Sequence, residues 1–276
     1  MEAFHLDIDA YLRRIGAERP KTCTPQSLSE LVRAHLKQVP FESLELTEAH
    51  TEPDLTPEGL FDKIVLHRRG GYCFELNKLF YLLLKELGFD CRSVAVRCII
   101  GRPEPVALSH RGIVVSFGSE NWYCDVGFGG SGPKDILNLG SSQIQTLHYE
   151  RFQVQREDGQ YVIVYFDADT PVRMLKFRDK AWPDADFAVL NGYYAVYPRS
   201  PFRNKRILYR CTEDGWIGFR ETTFLSFRAG RYETREIIGE GDIRRLIRTE
   251  FGLTIPQWST TGSESLPQIE IINQEE

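Results

Sequence analysis

The sequence predicts an α+β fold, and three observations carry that expectation. Apolar residues recur at helical spacing over roughly the first 88 positions. Runs rich in β-branched and aromatic residues, separated by turn residues, dominate from about 92 to 198. Strand-like and helical pieces then mix from about 199 onward. At 276 residues the chain exceeds the common single-domain length of roughly 100–200, so more than one structural unit is expected.

In the first segment, Leu12, Ile15, Leu28, Leu31, Val32 and Leu36 fall at helix-like intervals, with Pro20 and Pro25 as breaks. Residues 58–67 read as a further helical stretch, interrupted by Arg68-Arg69-Gly70-Gly71-Tyr72. Residues 74–87 form the clearest helix: Leu76, Leu79, Phe80, Leu83, Leu84 and Leu87 share one face, and Gly88 follows as a stop. Strands are expected over Ser93–Ile100, Gly112–Phe117, Trp122–Val126, Arg151–Gln155 and Tyr161–Phe166, with Asp158-Gly159 as a hairpin turn. Further strand-like pieces cover 206–211, 224–228 and 231–238, and a helix spans Gly241–Phe251 and stops at Gly252. The tail from Ser259 is polar, with a short strand expected at Ile269–Ile272.

Composition excludes several function classes. A net charge of −5 and short basic clusters do not make a nucleic-acid-binding face. No apolar run approaches the ~18 residues of a membrane span, and Met1-Glu2-Ala3-Phe4-His5-Leu6-Asp7 lacks a signal-peptide pattern. Six scattered cysteines without a Cys-x-x-Cys pair fit a reducing, cytoplasmic setting and no metal site.

Cys73 lies between a Gly-Gly turn and the start of the strongest helix. Free N–H groups and partial positive charge at that position are expected to favour the thiolate. The other five cysteines are read as structural. A nucleophilic cysteine requires a base, and the base an orienting carboxylate. His110, before the strand Gly112–Phe117, is the best-placed histidine. A type II′ turn at Gly118-Ser119 pairs Phe117 with Glu120, so paired positions sum to 237 and Asp125 faces residue 112. His110 is then the diagonal neighbour of Asp125 on the same face, ~7–8 Å away between backbones. Gly127-Phe128-Gly129-Gly130-Ser131-Gly132 formally matches Gly-x-Gly-x-x-Gly, but Pro133 and Gly140 bracket a loop where the dinucleotide fold needs a helix. What remains is a glycine-rich loop whose N–H groups can approach an anionic ligand.

Arg69-Gly70-Gly71-Tyr72-Cys73-Phe74-Glu75-Leu76-Asn77, Val39-Pro40-Phe41-Glu42-Ser43-Leu44, the Ser-His-Arg at 109–111 and Asp125-Val126-Gly127-Phe128-Gly129 together resemble the arylamine N-acetyltransferases, over about residues 6–255. The resemblance implies a helical bundle over 1–88 carrying the nucleophile, a β-barrel over 89–198 carrying His and Asp, and an α/β lid over 199–276 with a polar tail, around a cysteine-protease-like Cys-His-Asp core. It implies Cys73, His110 and Asp125 as the triad, and acetyl-CoA as donor near Gly129, Gly130, Ser131 and Gly132. It also implies an aromatic amine, hydroxylamine or hydrazine as acceptor, against Phe41 and Phe128. Ser43 and Ser109 replace the family's usual Asn and Thr, and Leu76 stands where many members have Gln or Val. The expected reaction is acetyl transfer through an acetyl-cysteine. The rivals are an amide synthase that closes a polyketide chain on an aromatic amine, and a hydrolase or transglutaminase using the same triad.

Overall fold

The structure, a computed structural model, describes residues 4–255. The short strand expected at 269–272 lies outside the described residues. Helix α1 (Ile8–Ile15) is capped by the Asp7 carboxylate and ended by Gly16 in the left-handed region. Helix α2 (Pro25–Gln38) starts with proline at its first position behind the Thr24 cap, where the missing N–H costs nothing. The short strand β1 (Phe41–Glu42), helix α3 (Pro57–Phe61) and a π-helical turn at Asp62–Leu66 lead to helix α4 (Cys73–Glu86). Leu79, Phe80, Leu83 and Leu84 of α4 are fully buried. Each such side chain contributes about 1.5–3 kcal/mol. They seat α4 on β2 (Asp90–Cys98) and β3 (His110–Phe117).

The large sheet is antiparallel throughout. Beyond β2 and β3 it contains β4 (Glu120–Cys124), β5 (Leu137–Asn138), β6 (Gln145–Leu147), β7 (Glu150–Glu157), β8 (Gln160–Asp167) and β9 (Thr170–Phe177). Its spatial order is β5-β4-β3-β2-β9-β8-β7-β6. The two edges meet where the Gln145 side chain accepts from Asn138 N and donates to Asn138 O, so the sheet curls into a nearly closed barrel. Val96, Val114, Tyr123, Phe152, Ile163 and Phe177 fill its interior. The expected turns are present. Gly118 alone of its pair has positive φ, as type II′ requires, and Asp158-Gly159 has both positive, as type I′ requires.

Two features of the middle and last segments differ from expectation. Residues 184–196, expected within a run of strands, form helix α5 (Asp184–Val196). Its β-branched and aromatic content reads as strand, but Asp184 and Asp186 in the first turn after Pro183 favour a helix start. After the short α6 (Pro201–Asn204), strands β10 (Ile207–Thr212), β11 (Gly215–Arg220), β12 (Thr223–Arg228) and β13 (Arg231–Glu236) form a second antiparallel sheet. Strand β11 lacked a sequence signal because Gly215 and Gly218 dilute its alternation. The edge of this sheet is β1, which pairs with β10, so a segment from the first 88 residues joins the sheet of the last segment. Helix α7 (Glu240–Phe251), ended by left-handed Gly252, packs Ile243, Leu246 and Ile247 against Leu208, Ile217 and Phe219. No helix among the described residues is long and apolar enough to cross a membrane.

Candidate active site

Cys73 is the first residue of α4, and the Glu75 carboxylate accepts from Tyr72 N at 2.9 Å to close the helix start. The approach to Cys73 is braced from the side. Glu42 N donates to Gly71 O at 2.9 Å, and the buried Glu42 carboxylate accepts from Arg69 Nη2 at 2.6 Å and Nε at 3.0 Å. This fork fixes the Phe41-Glu42 segment beside the turn that presents Cys73.

The hairpin register holds as expected, with pairs from Phe117↔Glu120 to Ile113↔Cys124. It brings His110 Nε2 to 2.5 Å from Asp125 Oδ2. Asp125 is fully enclosed and accepts three further bonds, from Tyr123 Oη at 2.7 Å, Asn77 Nδ2 at 2.8 Å and Gly127 N at 2.9 Å. Burial works to raise its pKa, but His110, Asn77 and Tyr123 together outweigh burial and hold it below the usual value. Asn77 also donates to Arg111 O and accepts from Val126 N, so one amide ties the helix of Cys73 to both strands of the hairpin. Gly127 has to be glycine here. A Cβ on it would stand 2.8 Å from Cys73 Cα and 2.9 Å from Asn77 Nδ2.

The electrostatics of Cys73 differ from the helix-terminus expectation. Burial pushes the thiol well up, with Cys98 and Asp125 adding to it, and only hydrogen bonds from the Arg111 and Phe74 backbone N–H groups pull the other way. A sulfur with 2% exposure loses more solvation than a helix terminus returns. Sγ also lies 4.0 Å from Ser109 O. With Nε2 of His110 committed to Asp125, Nδ1 is the ring nitrogen left to exchange a proton.

Cys73 and His110 open into a cleft of about 640 Å³, walled by Phe41, Phe128, Tyr193, Tyr194, Phe202 and Tyr209. Phe128 meets the His110 ring edge-on at 5.5 Å, and Phe41 packs against Phe202 and Tyr209. Arg102, Arg199 and Arg220 also line the cleft, and among the described residues no carboxylate does. Ile100, Tyr209 and Arg220 continue into a groove of about 660 Å³ lined by Gly130, Ser131, Trp216 and Tyr232. The glycine loop runs without a helix after it, and Gly129 and Gly130 take positive φ against the Tyr209 ring. Gly132 N closes a turn onto Gly129 O. Gly129 and Gly132 line a smaller cavity behind the loop rather than the groove.

Sequence reasoning missed Asn77, Tyr123, Tyr194 and Cys98. Asn77 was within reach, because position i+4 from Cys73 on a helix lies on the same face. Tyr194 was hidden by the misreading of α5. Cys98, read as structural, lines the cleft beside Cys73.

The profile of a family described as N-acetyltransferase matches residues 24–259. An arylamine N-acetyltransferase of Mycobacterium tuberculosis is 31% identical over 264 residues, covering 94% of this chain and 93% of its own. The chain belongs to the arylamine N-acetyltransferase family. The fold agrees. The arylamine N-acetyltransferase structure from Salmonella typhimurium superposes with a TM-score of 0.85 at 27% identity, over 92% of this chain and 93% of that one. The Mycobacterium marinum arylamine N-acetyltransferase in complex with CoA does so with 0.85 at 27%, over 89% and 92%. As a member of the arylamine N-acetyltransferases, the chain is an acyltransferase of α+β fold.

Proposed function

We propose that this chain transfers an acetyl group from acetyl-CoA to the nitrogen of an arylamine, arylhydroxylamine or hydrazine through an acetyl-cysteine at Cys73, with His110 and Asp125 completing the triad. The observation that carries the reading is the 2.5 Å bond between the fully enclosed Asp125 and His110, which lines the same cleft as Cys73. The groove joins the cleft through Ile100, Tyr209 and Arg220, and Gly130, Ser131 and Arg220 offer donors to phosphate there, beside the Asp167 and Glu221 carboxylates. Bound acetyl-CoA supplies an activated thioester.

His110 Nδ1 takes the thiol proton as Sγ attacks the acetyl carbonyl. The Arg111 and Phe74 backbone N–H groups act on the sulfur so as to favour its thiolate. CoA leaves as its thiol, taking the proton from His110. The acceptor nitrogen then attacks the acetyl-cysteine, His110 removes its proton, and Cys73 is released as the thiol. Asp125 fixes the imidazole throughout. The aromatic walls, Phe41 and Phe128 among them, support an aromatic acceptor. A division into units 1–88, 89–198 and 199–276 belongs to the same reading, with β1 and α5 crossing its simple helix-and-barrel description. So does a cytoplasmic setting, which six free cysteines favour.

The test is incubation with radiolabelled acetyl-CoA and no amine. Label is expected on Cys73. Absence of label there overturns the covalent route.

A further inference from the structure

The glycine loop has a buried side as well as a groove side. Lys134, just past the loop, is only 4% exposed. Lysine is almost never buried without partners, and here the nearest partners are main-chain carbonyls. Nζ donates to Gly132 O at 2.5 Å and to Gly130 O. Glu150, equally buried, stands farther off at 3.6 Å, and the Trp216 ring centroid lies at 6.0 Å.

The Gly130 carbonyl fixes where the next N–H of the loop points. A trans peptide sends its C=O and its N–H in opposite directions. The Gly130 carbonyl faces Lys134, so the N–H of Ser131 faces away from it. The Gly129 carbonyl is turned inward by Gly132 N at 2.9 Å, so the N–H of Gly130 is turned outward. Ser131 lines the groove and not the small cavity, Lys134 lines the small cavity and not the groove, and Gly130 borders both. The ammonium charge also sits in a low-dielectric layer behind the peptide units that would meet an anion.

We propose that Lys134 is a positioning residue for the acyl donor: it anchors the carbonyl of Gly130, and thereby aims the N–H of Ser131 at the phosphate-bearing part of the donor. This rests on the reading of the groove as the path of acetyl-CoA. Lys134 touches neither donor nor acceptor.

The experiment compares two acetyl donors on the full chain: acetyl-CoA, and p-nitrophenyl acetate, which carries no phosphate. Acetylation of Cys73 is followed by intact-protein mass spectrometry over a range of donor concentrations. The variants are Lys134→Met and the double variant Lys134→Met/Glu150→Gln, in which no carboxylate is left buried without a cation. The half-saturating acetyl-CoA concentration is expected to rise about tenfold or more, the scale of weakened hydrogen bonds to a charged group. The limiting rate and the labelling by p-nitrophenyl acetate are expected to stay unchanged. An unchanged acetyl-CoA dependence overturns the proposal. So does an equal loss with both donors, which would assign Lys134 to stability alone. A wild-type chain labelled by neither donor overturns the acetyl-cysteine reading and the proposal with it. If Lys134→Met alone does not fold, the double variant decides.

Discussion

Gly127 and Cys73 touch backbone to backbone: a single methyl group on Gly127 would stand 2.8 Å from the α-carbon of Cys73. The loop after Asp125 is thus pressed against the first turn of α4, and Gly127 N is held there by Asp125 Oδ1. Gly127→Ala must push the loop or the helix aside. We expect a loss of about 1–3 kcal/mol in thermal or urea unfolding, as for other overpacked sites, with a larger fall in acetyl transfer. Wild-type Tm and rate together would show that the loop can retreat without consequence.

His110→Ala tests what opposes the burial of Cys73. Burial raises the thiol, and in the variant no imidazole is present to take its proton. Alkylation of Cys73 by iodoacetamide at neutral pH should slow by roughly 10²-fold, the lower range for loss of a general base. It should recover as the pH is raised toward the thiol's own high pKa. Peptide mass mapping reads the modified site. Equal alkylation of variant and wild type at pH 7 would mean that His110 does not activate the sulfur.

Tyr123→Phe probes the carboxylate. Asp125 is pushed up by burial and brought below its usual value by His110, Asn77 and Tyr123. A carboxyl with a depressed folded-state pKa contributes stability that is complete above its unfolded value of about 3.9 and is lost as the pH falls toward the folded value. Removing the phenol donor at 2.7 Å weakens that depression. The acid-unfolding midpoint, followed by circular dichroism, should move to higher pH. The loss of stability near neutral pH should be about 1–3 kcal/mol. An unmoved acid midpoint would show that Tyr123 does not act on the ionised form.

Arg69→Met leaves the Glu42 carboxylate buried without its fork. Breaking a buried pair from one side costs about 3–5 kcal/mol, read by denaturant unfolding. The double variant with Glu42→Gln should recover much of that loss, because no charge is then stranded. A single variant as stable as wild type would remove this pair from the account of how Phe41 is held.

Much of the site was legible in the sequence for local reasons. Cys73 sits between a glycine turn and a strongly patterned helix. The Gly118-Ser119 turn sets a register in which simple arithmetic brings His110 to Asp125. The remainder depends on contacts between segments far apart in the chain. The high thiol pKa of Cys73 comes from burial by several elements. Tyr194 reaches the cleft on α5, whose residues 184–196 bury only Phe187, Asn191 and Ala195 and so show no clear apolar stripe. The joining of β1 to β10 follows from no local rule either, because a two-residue strand carries no periodicity.

Asn77 is the joint between the helix that carries Cys73 and the segments that carry His110 and Asp125. During synthesis Cys73 is made before His110 and Asp125 exist. A chain that has completed α4 but not the sheet therefore holds the thiol without the imidazole and carboxylate beside it. The three side chains come together only when α4 docks on the sheet, through Asn77, the Gly127 contact and the apolar face of α4. Completion of the Cys73–His110–Asp125 grouping thus coincides with completion of the tertiary fold.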